Sequence, residues 1–248
     1  MISFENISKS FGNQVVLDRV SSTFQANKIN LVIGKSGSGK SILVKCLVDL
    51  IRPDQGKVFF DQQDLFDGPL SQKLAIKKDI GMLFQGCGLF DSKTIGENVQ
   101  FPLDVHTNLS RAEKKDRVLE CLEHVGLPGI TQKMPNELSG GMKKRVGIAR
   151  AIVHRPKYLF CDEPTSGLDP QTALKIDDLI CQTTHSHHMT TIVITHDINT
   201  ILSLGDFILF LHQGSIAWQG TSEQLRQTTF KDLQEFVFVG NFSKLLCR

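Results

Sequence analysis

A glycine-rich segment constrains the fold of this chain more than any other feature of its sequence. The segment matches the pattern G-x-x-x-x-G-K-[ST] and follows an apolar run, residues 29–33, that is predicted as a strand. A helix is predicted directly after it, over residues 40–50. Glycines let such a loop curl so that several backbone N–H groups point at one phosphate chain, and the helix N-terminus adds a favourable dipole. The residues of this phosphate loop are Gly34, Lys35, Ser36, Gly37, Ser38, Gly39, Lys40 and Ser41.

Two neighbouring acids fit the same chemistry. Residues 158–163 read Tyr-Leu-Phe-Cys-Asp-Glu, a predicted strand that ends in two carboxylates. In a loop of this type Lys40 reaches the β- and γ-phosphates, and the hydroxyl of Ser41 holds Mg²⁺. Asp162 can grip the same ion through a water, while Glu163 stays free to orient an attacking water. The two segments together predict metal-assisted hydrolysis of a phosphate bond.

A third segment predicts a second anion site. Residues 138–142 read Leu-Ser-Gly-Gly-Met and precede a predicted helix over residues 143–153. Ser139 is of a residue type that caps helices, and its hydroxyl together with the amides of Gly140 and Gly141 can bind an anion. Because this segment lies about 100 residues from the phosphate loop, we expect a composite site built from two copies of the chain.

The remaining pattern is that of an α/β protein. Residues 2–24 alternate apolar and polar side chains in two stretches, which predicts two antiparallel strands. From residue 158 onward strands and helices alternate, as in a parallel, doubly wound sheet, and the helical block at about 90–155 is interpreted as an insertion into that sheet. The predicted units are a domain of residues 1–227, with its helical subdomain at about 88–157, and an extension of residues 228–248.

Composition argues against several classes of function. The net charge is only +2, and basic and acidic residues are interleaved, so no concentrated basic face and no nucleic-acid partner are expected. No apolar run approaches the roughly 18 residues of a membrane span, and the N-terminus does not read as a secretory signal. The six cysteines form no C-x-x-C pair, which favours reduced thiols in a cytosolic protein.

With these motifs the sequence resembles the ATP-binding cassette (ABC) ATPases, whose signature is the Leu-Ser-Gly-Gly of residues 138–141. The other matching positions are Phe11 for the aromatic residue that stacks on adenine, Gln85 for the Q-loop, Asp169 for the D-loop and His196 for the switch histidine. The resemblance covers about residues 1–227. It implies a P-loop NTPase fold with a RecA-like parallel core sheet, an N-terminal antiparallel β subdomain and an inserted helical subdomain.

The resemblance also implies roles for single residues, with two cassettes sandwiching two molecules of ATP and Mg²⁺. The expected catalytic residues are Glu163, His196 and Gln85. The expected metal site comprises Ser41, Gln85 and Asp162. The second cassette is expected to supply Ser139, Gly140, Gly141 and Asp169. One departure is Met142, where many family members carry Gln; the phosphate contacts belong to its neighbours, so hydrolysis is not put in doubt.

Within the family, residues 85–92, 97–103 and 138–146 resemble the ATPases of Mla/Mkl-type transporters. Those ATPases pair with an integral-membrane permease and an MCE-domain substrate-binding protein, and they move phospholipids or other hydrophobic molecules between the membranes of a diderm envelope. The resemblance therefore implies a homodimer at the cytoplasmic face of the inner membrane. A permease is expected to dock near Gln85–Phe90, where Leu89 and Phe90 are predicted to be exposed.

Two alternatives stay open at this point. The first is a lipoprotein-release or small-solute cassette, against which Met142 and the phenylalanine-rich Q-loop segment argue without deciding. The second is a soluble ABC ATPase of DNA repair, chromosome structure or translation. Such proteins usually carry zinc modules, long coiled coils or two cassettes, and this sequence has one phosphate loop, one signature and no long heptad run.

The extension carries seven apolar residues at helical spacing, namely Phe230, Leu233, Phe236, Val237, Phe242, Leu245 and Leu246. Such a face must be covered by something. It either packs back on its own cassette or reaches a second cassette and steadies the dimer, as the Mla-type resemblance suggests.

Overall fold

Two β-sheets and the helices packed on them make up residues 1–238, the part of the chain that the computed structural model describes. The strands are β1 (Ile2–Phe11), β2 (Gln14–Phe24), β3 (Ile29–Ile33), β4 (Gln55–Phe60), β5 (Gln63–Asp64), β6 (Ile80–Leu83), β7 (Tyr158–Asp162), β8 (Thr190–Thr195), β9 (Phe207–His212) and β10 (Ser215–Gly220). The helices are α1 (Lys40–Leu47), α2 (Leu70–Lys78), α3 (Ile95–His106), α4 (Arg111–His124), α5 (Gly140–Ile152), α6 (Pro170–Ser186), α7 (Ile198–Leu204), α8 (Ser222–Arg226) and α9 (Lys231–Phe238). Within these described residues, no helix combines the length and the apolarity that a membrane crossing requires.

The two sheets differ in the direction of their strands. The smaller sheet has the order β2-β1-β4-β5 and is antiparallel throughout. The larger sheet has the order β10-β9-β3-β8-β7-β6, in which all neighbouring strands are parallel except β10, which pairs antiparallel with β9 at the edge. This arrangement agrees with the predicted parallel core sheet and N-terminal antiparallel subdomain.

The apolar core lies on both faces of the larger sheet. On β3, Leu31 and Ile33 join one buried cluster, whereas Val32 between them joins the other, as the alternation of side chains along a strand requires. The first cluster includes apolar residues of α3 to α9, and the second includes those of α1, α2 and the antiparallel sheet. Because both faces are covered, the central strands β3, β7 and β8 are buried along their whole length.

The predicted helical insertion consists of α3, α4 and α5, which lie between β6 and β7 in the chain. Local signals fix where these helices begin. Thr94 and Ser110 form capping boxes with Glu97 and Glu113 at the starts of α3 and α4, and Ser139 caps α5 by accepting a hydrogen bond from the amide of Met142. The signature motif is therefore a loop and a helix N-terminus.

The order of the parallel strands brings distant segments to one edge of the sheet. The phosphate loop follows β3, Glu163 follows β7, and His196 follows β8, while Gln85 lies two residues after β6. These four strands are consecutive in the order β3-β8-β7-β6. Their carboxyl ends point the same way, and in open α/β sheets ligands bind in the crevice outside those ends.

Residues 228–238 of the extension pack on their own cassette. Leu233 and Val237 of α9 are fully buried in the first cluster, and Phe230 and Phe236 pack against it. This part of the extension therefore follows the alternative in which the extension packs back on its own cassette. Phe242, Leu245 and Leu246 lie outside the described residues.

Candidate active site

A cleft of about 590 Å³ opens at the carboxyl edge of the parallel strands. It is lined by Val16, Lys35, Ser36, Gly37, Gly39, Lys40, Ser41, Ile42, Gln85, Glu163, His196 and Phe236. The structure thus brings together most of the phosphate loop and the three expected catalytic residues. The sequence motifs do not contain Val16, Ile42 or Phe236, which supply the apolar side chains of the lining.

Two glycines let the phosphate loop adopt its course. Gly34 has φ +153°, and a Cβ there would collide with the backbone carbonyl of Leu211 on β9. Gly39 has φ +102°, and its Cβ would lie 2.9 Å from the carbonyl oxygen of Val16. The loop is therefore wedged between β9 and β2, and α1 starts with Lys40 directly after it.

Lys40 crosses the loop with its side chain. Its Nζ donates hydrogen bonds to the carbonyl oxygens of Gly34, at 2.8 Å, and of Lys35, at 3.0 Å. Burial lowers the pKa of Lys40, while the negative charges of Glu163 and Asp162 oppose that shift. A partly desolvated cation in the phosphate loop is a favourable place for the negative charge of phosphate.

Ser41 and Asp162 lie side by side, as a shared metal ion would need. The Ser41 hydroxyl donates to Oδ1 of Asp162 at 3.2 Å. Burial raises the pKa of the Asp162 carboxyl; the hydrogen bond from Ser41 opposes this shift, and the charge of Glu163 adds to it. Two hard oxygen donors, one of them a desolvated carboxylate, form the ligand type that Mg²⁺ prefers.

Glu163 and His196 are in direct contact across the cleft. Nδ1 of His196 lies 2.8 Å from Oε1 of Glu163, and the backbone N–H of Glu163 donates to the carbonyl of Ile194 on β8 at 3.0 Å. Glu163 itself has φ +50°. Strand β8 thus holds the backbone of Glu163, and His196, the residue directly after β8, holds its side chain.

Two cations of α5, which sequence reasoning missed, hold the Q-loop in place. Nζ of Lys144 donates to the carbonyls of Gln85 at 2.6 Å and Glu163 at 3.0 Å. The guanidinium of Arg150 donates to the carbonyls of Cys87 at 2.5 Å and Gly88 at 2.6 Å. Both side chains are buried, and burial lowers the pKa of each. No sequence signal singled them out from the other basic residues of α5, because a backbone carbonyl partner leaves no trace in a motif.

The signature and D-loop residues form a second group, which does not line the cleft of its own chain. Asp169 caps α6 by accepting a hydrogen bond from the amide of Thr172, at 3.0 Å. A Cβ on Gly141 would meet the side chain of Thr172 at 2.6 Å, and one on Gly140 would lie 3.6 Å from Leu168. Ser139, Gly140, Gly141 and Asp169 therefore cluster where α5 and α6 begin.

Phe11, the expected adenine partner, lies on the antiparallel sheet outside the lining of the cleft. Its side chain is 48% exposed, and Nζ of Lys9 lies 5.5 Å from the centre of its ring. An exposed, unburied aromatic face remains available to a planar ligand. The structure does not place this ring against the phosphate loop.

The residues present fit a magnesium–nucleoside triphosphate. The hydroxyl of Ser38 is buried and has no hydrogen-bond partner within the described residues, although it lies in the phosphate loop. A buried hydroxyl in that condition is costly unless something satisfies it. Together with Lys40, the loop amides and the Ser41–Asp162 pair, it gives the cleft a donor set for phosphate and a ligand pair for the metal.

Comparison with known proteins identifies the family. The model of the ABC transporter family matches residues 17–166. The probable ribonucleotide transport ATP-binding protein mkl of Mycobacterium tuberculosis is 35% identical over 236 residues, which are 95% of this chain and 66% of that protein. The intermembrane phospholipid transport system ATP-binding protein MlaF of Haemophilus influenzae is 36% identical over 239 residues, 96% of this chain and 90% of that protein. The methionine import ATP-binding protein MetN 3 of Pseudomonas fluorescens is 38% identical over 227 residues, 91% of this chain and 70% of that protein. The chain thus spans about two thirds of the length of the mycobacterial relative.

Solved structures agree with this result. The dimeric structure of MJ0796, a bacterial ABC transporter cassette, has a TM-score of 0.82 and 32% identity, with 90% of this chain and 99% of that chain covered. The same cassette in a post-hydrolysis dimer bound to ADP and Pi has a TM-score of 0.81 and 31% identity over the same shares. The predicted P-loop NTPase fold and the predicted resemblance are both confirmed. The chain belongs to the ABC transporter family and is one of its ATPase cassettes.

Proposed function

We propose that this chain is the ATP-hydrolysing subunit of a transporter that moves phospholipid or another hydrophobic molecule across or between envelope membranes. The observation that carries the proposal is the extent of its similarity to MlaF, which reaches over 96% of this chain and 90% of that protein. The transporter would have a separate integral-membrane permease, the partner that the resemblance to Mla/Mkl-type ATPases implies. Its location would be the cytoplasmic face of the inner membrane, held there by the permease.

The cleft supports a mechanism in which this chain's residues divide the work. Lys40 and the amides of the loop would hold the phosphates, and Ser41 and Asp162, with the Gln85 side chain, would hold Mg²⁺. The bound ion would supply charge neutralisation on the phosphate oxygens. Glu163 would then accept a proton from the attacking water, while His196, in contact with Oε1 of Glu163, would fix the direction of that carboxylate.

The proposed active unit is a homodimer with two composite sites. Within one chain, the group of Ser139, Gly140, Gly141 and Asp169 does not line the cleft that holds Glu163. Residues that bind an anion at the N-terminus of α5 need a phosphate from elsewhere, and a second copy related by a twofold axis would offer one. The negative charge of the γ-phosphate, bound between the two chains, would hold them together until hydrolysis cleaves this phosphate from ATP.

The permease is proposed to dock beside the Q-loop. Phe90 and Phe101 lie there edge to face, with ring centres 5.0 Å apart, and each is 40% exposed. They border a groove of about 240 Å³ that also contains Phe84. Leu89, predicted as exposed, instead packs partly buried against the core, so the expectation was wrong for that side chain. An MCE-domain protein is the further proposed partner, joined through the permease.

A small-solute importer is the second candidate, because the similarity to MetN 3 has 38% identity over 91% of this chain. The two candidates differ in what should stimulate ATP hydrolysis by the complete transporter. Phospholipid is expected to stimulate a lipid transporter, and L-methionine an amino-acid importer.

The test is to purify the tagged chain from membranes of cells that also express its neighbouring genes, and to measure the ATPase rate in nanodiscs. We expect a co-purifying permease and a rate that rises with phospholipid but not with L-methionine. A rise with L-methionine alone would overturn the lipid assignment. Purification without any membrane protein would overturn the transport assignment itself. Phe90→Ser should reduce co-purification, whereas Leu70→Ser, which removes an even more exposed apolar side chain on α2, should not.

A further inference from the structure

The cleft has an aromatic wall that belongs to none of the family motifs. Phe236 lies on α9 and lines the cleft together with the phosphate loop. It is separated by almost two hundred residues from that loop in sequence, and it stands in the extension rather than in the predicted cassette of residues 1–227. A half-buried phenylalanine beside phosphate-binding residues calls for a physical explanation.

Helix α9 is anchored firmly enough to hold this side chain. Leu233 and Val237, on the same helix, are fully buried in the core cluster. The Phe236 ring packs on the buried Phe210 of β9, with ring centres 5.4 Å apart. One aromatic contact of this kind and two buried aliphatic side chains fix the helix against the sheet.

The anchoring strand is also the strand that supports the phosphate loop. Phe210 is the register partner of Ile33, the residue that directly precedes Gly34. The carbonyl of the next residue, Leu211, is the group that a Cβ on Gly34 would strike. Phe236 therefore reaches the cleft from the β9 side, through a strand that is in contact with the start of the loop.

We propose that Phe236 is a nucleotide-contacting residue, and that α9 is thereby an added wall of the site that couples the C-terminal extension to nucleotide occupancy. The ligand class is the nucleoside diphosphate or triphosphate of the cleft, so this inference rests on the assignment of that site. Lys35 and Ser36, which line the same cleft, are themselves exposed, so an apolar ring in that lining would shield bound phosphates from water on one side. Because coupling is reciprocal, a bound nucleotide stabilises α9 to the same extent that α9 strengthens nucleotide binding.

The chain offers a matched control in Phe230. This residue also packs on Phe210, with ring centres 6.4 Å apart, and it is also half-buried against the core cluster, but it does not line the cleft. Phe230→Ala and Phe236→Ala therefore remove the same side-chain atoms from the same neighbour. Only the second removes a wall of the site. Phe236→Leu keeps an apolar wall and serves as the conservative variant.

The experiment measures binding of Mg-ADP to the purified full chain by calorimetry, together with the melting temperature without nucleotide. We expect both alanine variants to melt earlier. We expect Phe236→Ala alone to bind about three- to tenfold more weakly, the effect of one lost aromatic contact, and Phe236→Leu to bind nearly as the parent chain does. Equal affinity of the two alanine variants for Mg-ADP would overturn the inference.

If a variant fails to fold, hydrogen exchange on the unaltered chain still tests whether a bound nucleotide stabilises α9. Mg-ADP is expected to slow amide exchange in residues 231–238 more than in α4, which lies away from the cleft. No added protection of residues 231–238 would overturn the inference. Lys40→Ala separates this result from the site assignment, because it should abolish Mg-ADP binding. A chain that binds Mg-ADP equally well with and without Lys40 would instead refute the assigned site.

Discussion

At the scale of single residues, Glu163 has a backbone conformation that few side chains adopt. Its φ of +50° lies in the left-handed region, where residues other than glycine are strained by about 1–3 kcal/mol. The amide bond to Ile194 and the contact with His196 hold it there. The fold therefore sustains a strained position for the carboxylate that we propose as the base.

Glu163→Gln keeps the shape of this side chain and an oxygen for His196, but it removes the negative charge. We expect ATP to bind as before and turnover to fall at least about a hundredfold, the scale of a lost general base. Single-turnover hydrolysis and nucleotide binding on the same preparation measure the two effects. Glu123→Gln, on the exposed surface of α4, is the control. Near-normal hydrolysis by the Glu163 variant would contradict the assignment.

Asp177 is a second carboxyl in an unusual setting. It is 2% exposed on α6; Oδ2 accepts a hydrogen bond from the Thr200 hydroxyl at 2.7 Å, and Oδ1 has no partner within the described residues. Burial raises its pKa to about 6, against the hydrogen bond from Thr200 and with help from the charges of Asp197 and Asp178. The folded chain thus binds a proton here that the unfolded chain has already released, at pH values between the two pKa values.

This difference makes stability fall as pH rises from about 4 to about 6, because the folded state then loses its extra proton. Asp177→Asn has no charge to bury. We expect it to stabilise the chain by about 1–3 kcal/mol at about pH 7.5, and by little at about pH 3, where Asp177 is mostly protonated in both the folded and the unfolded state. Urea unfolding at the two pH values is the measurement. Asp178→Asn, at the exposed neighbouring position, should change little. Equal effects of Asp177→Asn at both pH values would contradict the account.

At the scale of elements, α5 connects three parts of the site. Its first turn carries the signature glycines, Lys144 in its second turn holds the ends of β7 and of the Q-loop, and Arg150 in its last turn holds the Q-loop further along. Two buried cations on one helix are costly to desolvate, and four backbone carbonyls receive their hydrogen bonds. A shift of this helix therefore displaces the Q-loop and the strand end together.

Lys144→Met preserves the length of the side chain and removes its donors. The carbonyls of Gln85 and Glu163 then lose a buried partner, so we expect the free energy of unfolding to fall by about 1–3 kcal/mol. We also expect ATP hydrolysis to fall further than nucleotide binding, since Glu163 loses a support. Lys143→Met is the control, because that side chain makes neither bond. A Lys144 variant that is as stable and as active as the Lys143 variant would show that this support has no role.

Sequence predicted most elements because their signals are local. The apolar strands β3, β7 and β8, and the helices capped by Ser110, Ser139 and Asp169, carry their own start and stop signals. Helix α2 was missed because it has a single buried residue, Ile76, and two exposed leucines in place of an apolar stripe. The edge strand β10 was missed because its exposed and half-buried residues show no alternation.

The residues of the site were likewise predictable only where their sequence signals are local. The residues that we propose to contact phosphate or metal occur in contiguous motifs, and these could be read directly. Lys144 and Arg150 act on backbone carbonyls that any residue would present, and Phe236 reaches the cleft only through the packing of α9 on Phe210. Such contacts depend on how distant segments pack in the folded chain, so no local sequence pattern predicts them. The position of Phe11 outside the cleft lining also depended on that placement.

At the scale of the whole molecule, the separation of the signature group from the cleft of its own chain makes a specific demand on assembly. Ser139→Arg should abolish turnover yet leave Mg-ADP binding by the isolated chain unchanged, because in the proposed dimer Ser139 binds the nucleotide of the other chain. Lys40→Ala should abolish both. Either variant alone has no intact site.

Mixing the two variants distinguishes two-chain sites from one-chain sites. A mixed dimer contains one intact site, formed by the loop of the Ser139 variant and the signature of the Lys40 variant. Random pairing in a twofold dimer then restores about a quarter of the parent number of sites. Steady-state ATPase rates of the mixture, against each variant alone, are the measurement. No recovery on mixing, or weaker Mg-ADP binding by the Ser139 variant, would contradict the composite site.

The strand order of the larger sheet determines how long β3 lacks its neighbouring strands while the chain is being synthesised. β3, which carries the phosphate loop, pairs with β9 and with β8, and even β8 begins only about 160 residues later in the chain. At about 5–20 residues per second, a ribosome takes about 8–30 s to add that length. For that time β3 has neither neighbour, whereas the antiparallel sheet and the β6–β7 pair can form before β8 is made. A nascent chain that stalls before residue 190 therefore leaves β3 exposed to aggregation, and we expect ribosome-bound intermediates of this length to depend on chaperones that shield apolar strands.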